Sequence, residues 1–211
     1  MKLHRSIKCA ITLALSALFV ICPLAFTAQA KGYDGTARAN NICVMNVEYG
    51  EAVFCKNADE RIAPGPSAKI LAAVLAFEHY AGNEEKPVTI TPAALENIYG
   101  SVVINLKAGD TLRAIDLIYA MVVGGASDAA NAIAIDIAGS VTAFTAMMNK
   151  KARELGATST AYANPTGLDA RGAYTTARDT AIIACYARKN QQYMKAANAK
   201  SYKIPESDTF K

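Results

Sequence analysis

Hydrophobic and polar positions alternate in several distinct rhythms along this chain. Ile42 to Val47 and Glu51 to Phe54 are short strand-like runs around Tyr49-Gly50, which predicts an antiparallel hairpin. Pro64-Gly65-Pro66 then breaks the chain. From Ser67 onward the spacing is helical, with Ile70, Leu71, Val74, Leu75 and Phe77 on one broad face. Asn83 to Lys86 is a polar turn, and Val88-Thr89-Ile90 reads as a short strand or an extended linker. Pro92 suits the first turn of a short helix through Asn97. Leu112 to Val123 is a strongly apolar helix with Asp110 or Thr111 as its cap, ended by Gly124-Gly125.

The second half is helical. Asp128 to Ala138 is rich in Ala and Ile and nearly apolar all round, the pattern of a buried central helix. Ser140 caps a helix to Leu155, and Gly156 stops it. Thr176-Ala177-Arg178-Asp179 resembles a capping box, with Asp in place of Glu, before a helix to Lys189. Ser201 to Lys211 is a polar tail with strand character at Tyr202 to Ile204. The sum is one early hairpin and about six helices, with no internal repeat. A two-stranded hairpin is rarely stable alone. It must pack on the helices, or belong to a sheet whose other strands are missing.

The first 30 residues follow a different grammar. Lys2 to Lys8 form a positively charged segment, Cys9 to Phe26 form an apolar run without charge, and Ala28-Gln29-Ala30 is a small-x-small cleavage site. This is the form of a secretory signal peptide, with cleavage after Ala30. The alternative is a retained anchor, and the apolar run is at the lower edge of spanning length. Ile21 argues against lipidation at Cys22, because that position calls for a small residue. No later stretch is long and apolar enough to span a bilayer, so no membrane span is expected after signal cleavage.

Charge changes the picture once the leader is set aside. The 211 residues carry 22 Lys+Arg and 18 Asp+Glu, a formal +4. Lys2, Arg5 and Lys8 lie in the leader with no acid, so residues 31–211 carry only +1. That argues against a nucleic-acid partner. Export places the mature chain in a periplasmic or extracellular setting, where disulfides persist. Cys43, Cys55 and Cys185 remain there. Cys43 and Cys55 flank the hairpin and could face each other across it. Equally, they could be small buried apolar residues. Cys185 falls in a helical pattern and is expected in the core.

Familiar chemistry is scarce. His79 is the one histidine beyond the leader, so no Ser-His-Asp set can be assembled. No Cys/His spacing resembles a zinc site. Gly124-Gly125 lacks the lysine and the strand context of a phosphate loop. What remains is order along the chain. Lys56 to Arg61, Pro64 to Ile70 and Asp128 to Ala132 are followed by Met148-Asn149, Ala152 to Gly156, Asn164 to Asp169, Thr176 to Asp179 and Lys200 to Pro205. In these segments the chain resembles the serine D-Ala-D-Ala carboxypeptidases, the low-molecular-mass penicillin-binding proteins. The resemblance covers residues 42–205.

It implies an α/β (α+β), β-lactamase/transpeptidase-like fold. The part present would be mostly helical with an N-terminal β-hairpin, and the C-terminal sheet strands would be missing. Residues 1–30 would be the signal peptide and 31–211 an incomplete carboxypeptidase-like domain. It further implies release of a terminal D-Ala from peptidoglycan stem peptides through a serine acyl-enzyme, a mechanism that β-lactams intercept. No metal or cofactor is implied. In many relatives a C-terminal amphipathic helix tethers the enzyme to the membrane, and none occurs before Lys211.

Three motifs carry the chemistry of the resembled family. The first is Ser-x-x-Lys at a helix start. Three residues make nearly one turn, so the hydroxyl and the amine share a face and the amine can take the proton. The resemblance puts the lysine at Lys69, and the serine position is then Pro66. Ser67 lies two residues from Lys69, which on a helix turns it away. It could serve only if the backbone at Pro64-Gly65-Pro66 were reset by one residue. The second motif, Ser-x-Asn, falls on Gly125-Ala126-Ser127. Ser127 could take the polar role, or simply be the N-cap of the following helix. The third, Lys-Thr-Gly, does not occur in the sequence. The candidate catalytic residues are therefore Lys69, Ser67 and Ser127. A buried lysine without a partner is costly, so Lys69 is expected to be solvated or held by a carboxylate or a backbone carbonyl.

Four readings follow. The chain is a catalytically impaired family member, a serine carboxypeptidase using Ser67 in a longer chain, a non-enzymatic envelope binding module, or a gene fragment without a stable product.

Overall fold

Six α-helices, two single turns of 3-10 helix and four short strands make up the described part of the computed structural model, residues 38–206 and 210. The expected leader and most of the polar segment after it lie outside these residues.

The hairpin forms where the sequence places it. Strand β1 (Ile42–Met45) pairs antiparallel with β2 (Ala52–Lys56), with Ile42 opposite Lys56, Cys43 opposite Cys55 and Val44 opposite Phe54. The turn is held by the Asn46 side chain, whose Oδ1 accepts from the Glu48 and Tyr49 amides. Gly50 supplies the positive φ that closes it. β1 packs on helix α5 (Ala177–Arg188). The hairpin thus obtains from a helix the support that a second pair of strands would otherwise give.

Helix α1 (Ala68–His79) follows a 3-10 turn, Gly65–Ser67. Proline is tolerated there because the first turn leaves its N–H positions without intrahelical acceptors. One apolar face was expected. Instead every residue from Leu71 to Phe77 is buried, the alanines included, because α1 is enclosed on several sides. Small Ala72, Ala73 and Ala76 let neighbouring backbones approach where larger side chains would hold them off.

Strand β3 (Pro87–Thr89) pairs with β4 (Thr111–Arg113), with Val88 opposite Leu112. This corrects the expectation that Leu112 opens a helix capped by Asp110 or Thr111. Helix α2 (Ala114–Val123) begins two residues later, and Asp110 instead accepts from the Lys107 amide. The pairing of β3 is what wins, since it satisfies backbone groups that a longer helix would leave to solvent. Pro92–Leu95 is a 3-10 turn rather than a full helix.

Helix α3 (Ser127–Ala138) is the second buried element, as its all-round apolar sequence predicts. Its first turn is anchored by Asp128, whose carboxylate accepts from the Ile104, Leu106 and Ala129 amides. Helix α4 (Val141–Glu154) is capped by Ser140, which accepts from the Ala143 amide. The capping box at α5 is half realised. Thr176 accepts from the Asp179 amide, but the Asp179 carboxylate turns to the Ser159 amide and the Thr160 hydroxyl. An aspartate is one methylene short of the reach that glutamate has in this motif. Helix α6 (Gln191–Ala197), capped by Asn190, was not anticipated.

Tyr202 to Ile204 form no strand. Tyr202 stacks on Tyr119 at 4.1 Å between ring centroids, and its hydroxyl donates to Asp116 at 2.7 Å. Cys185 is only half-buried, on the side of α5 that meets the hairpin turn, and is not a core residue. No single described helix is long and apolar enough to cross a membrane.

Candidate active site

Lys69 sits in the first turn of α1, and its side chain crosses to the loop Asn164–Leu168. Its Nζ donates to the Thr166 carbonyl oxygen at 2.6 Å. Among the described residues no carboxylate pairs with it. Burial holds its ammonium below the usual lysine range. Of the arrangements expected for this lysine, the backbone carbonyl is the one realised.

The loop that supplies this carbonyl is organised by one side chain. Asn164 Oδ1 accepts from the Thr166 hydroxyl and from the Gly167 amide, each at 2.8 Å, while its Nδ2 donates to Leu168 O. Gly167 adopts φ +77° and lies directly on the backbone of Gly65, itself at φ +53°. The loop is thereby seated on the turn that precedes Lys69. In the sequence, Asn164 to Asp169 stands out only for its place in the order of segments. An asparagine followed by Pro and Gly is nonetheless a turn signal, and it marks this loop.

Ser67 is near Lys69 in sequence and apart from it in bonding. Its hydroxyl donates to Pro64 O at 2.5 Å, which returns it to the preceding turn. It lines a cavity of about 450 Å³ on the hairpin side, with Ile62, Pro64, Thr175 and residues of α5. Pro66, three residues before Lys69, is exposed and carries no nucleophile. Ser127 is the first residue of α3 and not its cap; Ala126 holds the cap position. The Ser127 hydroxyl is buried, with the residue 1% exposed, and has no hydrogen-bond partner. Among the described residues no hydrogen bond joins any two of Lys69, Ser67 and Ser127.

On the far side of the Asn164 loop lies a second cavity of about 460 Å³. Asn131, Glu96, Asn97, Ser140, Asn164 and Thr166 contribute polar groups to its lining. No group of three or more His, Cys, Asp or Glu side chains gathers among the described residues in a way that could hold a metal ion.

Comparison with known proteins gives this arrangement a context. The sequence model of the D-alanyl-D-alanine carboxypeptidases matches residues 25–210. D-alanyl-D-alanine carboxypeptidase DacC of Escherichia coli is 31% identical over 173 residues, covering 79% of this chain and 43% of that protein. DacF of Bacillus subtilis is 30% identical over 170 residues, covering 79% and 44%. Among solved structures, the D-alanyl-D-alanine carboxypeptidase DacD from Francisella tularensis superposes with a TM-score of 0.73 at 32% identity, covering 79% of this chain and 41% of that one. Penicillin-binding protein 5 from Haemophilus influenzae gives 0.70 at 28%, covering 75% and 47%. The chain spans less than half the length of each of these relatives. With the family model matched over most of its length and the fold shared, the chain belongs to the D-alanyl-D-alanine carboxypeptidase family.

Proposed function

We propose that this chain is an exported, catalytically impaired member of its family in the cell envelope, acting on, or derived from enzymes acting on, peptidoglycan stem peptides. The observation that carries the reading is the bonding of two side chains. Serine acyl transfer needs a hydroxyl and a base in mutual reach. Here Ser67 is bonded back to Pro64 O, Lys69 is bonded to Thr166 O, and the residue one turn before the lysine is Pro66. Ser127 lends the same support, since its hydroxyl is enclosed and cannot reach a substrate without movement of α3. What function remains is non-covalent: the scaffold would hold a stem peptide, a β-lactam or another envelope component without cleaving it.

The test is acylation. The protein is incubated with a fluorescent penicillin and its intact mass is recorded. The expected result is an unchanged mass under conditions that label a family enzyme to completion. An adduct mapped to Ser67 would overturn the reading in favour of a serine carboxypeptidase with a shifted nucleophile. Pro66→Ser serves as the second arm. It restores a hydroxyl one turn before Lys69, but not the Ser-x-Asn or Lys-Thr-Gly groups, and is expected to give at most slow, substoichiometric labelling.

A further inference from the structure

Cys43 and Cys55 are directly opposed in the register of β1 and β2, and their sulfurs are 3.4 Å apart. Nothing about the family chemistry uses them. Their surroundings also rule out the simple reading of two core thiols, because Cys55 is exposed and Cys43 only half-buried. A metal site is not supported either: two sulfurs are present, and no third ligand gathers with them among the described residues. The third thiol among the described residues, Cys185, lines a separate groove between the hairpin turn and α5, with Met45, Ala52 and Ile182.

We infer that Cys43 and Cys55 form a cross-strand disulfide that closes the hairpin covalently. Directly opposed residues of an antiparallel pair have the separation that a disulfide accepts with little backbone movement. The bond would meet a specific need. Among the described residues this hairpin is a sheet of two strands, with Val44, Val47, Tyr49 and Val53 exposed along it. Such a pair is marginal on its own. A cross-link between strands fixes the register of β1, and with it the strand that lies on α5.

The chemistry is ordinary thiol–disulfide exchange with a low-molecular-mass disulfide as oxidant. Cys55 is the accessible thiol. As thiolate it attacks one sulfur of the oxidant, forming a mixed disulfide and expelling the first carrier thiolate. Burial and the neighbouring Cys55 thiol raise Cys43 to about 11 before this step. Once Cys55 is in the mixed disulfide, that neighbour no longer carries a proton or a charge. Cys43 then loses its proton to solvent and attacks Cys55 Sγ, expelling the second carrier thiolate. Two thiols are oxidised, one external disulfide is reduced to two thiols, and two protons are transferred in all.

The experiment uses the full chain, equilibrated in mixed reduced and oxidised glutathione, quenched with an alkylating agent and mapped by mass spectrometry. Relative to the reduced and alkylated chain, the expected product carries two fewer alkyl groups, with one cross-linked peptide joining Cys43 to Cys55 and Cys185 alkylated. Cys43→Ser and Cys55→Ser should each abolish the cross-link, Cys185→Ser should leave it, and the oxidised chain should melt several degrees above the reduced one. Alkylation of both Cys43 and Cys55 in excess oxidised glutathione would overturn the inference. So would pairing of either with Cys185. The assay does not depend on whether the chain acylates, so its failure leaves the proposed loss of catalysis standing.

Discussion

Gly167 rests on Gly65: a β-carbon built at position 167 would lie 1.7 Å from the Gly65 carbonyl oxygen and 2.4 Å from its carbon. This backbone-on-backbone contact seats the Asn164–Leu168 loop over the turn before Lys69 and so decides which carbonyl the lysine meets. Because both neighbours are main chain, nothing can swing aside. Gly167→Ala is therefore expected to cost well over about 2 kcal/mol, combining the overlap with the strain of a positive φ. Gly139→Ala is the control. It also has a positive φ, +77°, but a β-carbon there meets nothing within 4 Å. It should cost only about 1 kcal/mol. Urea unfolding of the two variants measures the difference, and equal losses would show that the contact adds nothing.

Lys69 makes a second prediction, about pH. Burial lowers its pKa from the ordinary 10.5. The unfolded chain then binds more protons at this site than the folded one, so stability rises with pH through the interval between the lowered value and 10.5. Lys69→Met removes the titrating group. Measured side by side, wild type should gain on Lys69→Met as pH rises through that interval. Parallel curves would mean that the amine is as well solvated in the fold as in the open chain.

Ser127 carries a buried hydroxyl with no partner. Removing an unsatisfied polar group removes its desolvation cost along with a small amount of packing. Ser127→Ala is expected to leave stability unchanged within about 0.5 kcal/mol or to raise it by up to about 1 kcal/mol. A loss beyond about 1 kcal/mol in chemical denaturation would reveal a partner that the hydroxyl depends on.

Tyr202 predicts alkaline behaviour. Its burial and its bond to Asp116 push the phenol from 10 up to about 12. The protonated form is thus favoured by folding. The stabilisation is complete below pH 10 and is lost as pH rises through about 12. Tyr202→Phe keeps the ring on Tyr119 but loses the donor to Asp116. It should cost about 1–2 kcal/mol at neutral pH and flatten the alkaline decline. An unchanged alkaline limb in Tyr202→Phe would assign that limb to another group.

How much of this could be read from the chain alone depends on the range of the forces involved. The hairpin, the caps at Ser140 and Thr176, and the buried character of α3 are local. Each depends on side-chain periodicity or on a bond within one turn, and the sequence determined them. Its ordered segments also carried the family, and they put Pro66 three residues before Lys69. Where reading failed, a distant partner had intervened. Leu112 looks helical until Val88 pairs with it from more than 20 residues away. Ser127 looks like a cap until its amide bonds to Val102 O, 25 residues earlier, and its hydroxyl is enclosed. Asp179 looks like half of a capping box until Ser159 and Thr160 claim its carboxylate.

The site divides along the same line. The sequence alone put Lys69 in the first turn of a helix and excluded a serine one turn before it. Only the tertiary structure decided that the Lys69 amine is held by Thr166, 97 residues later, and that Ser67 turns back to Pro64. It also decided that Cys43 meets Cys55, not Cys185. Those outcomes follow from which backbones approach which. The Lys69–Thr166 contact is settled by packing across the whole fold, whereas the Ser67 and Cys43–Cys55 contacts are local ones that the sequence leaves open between alternatives.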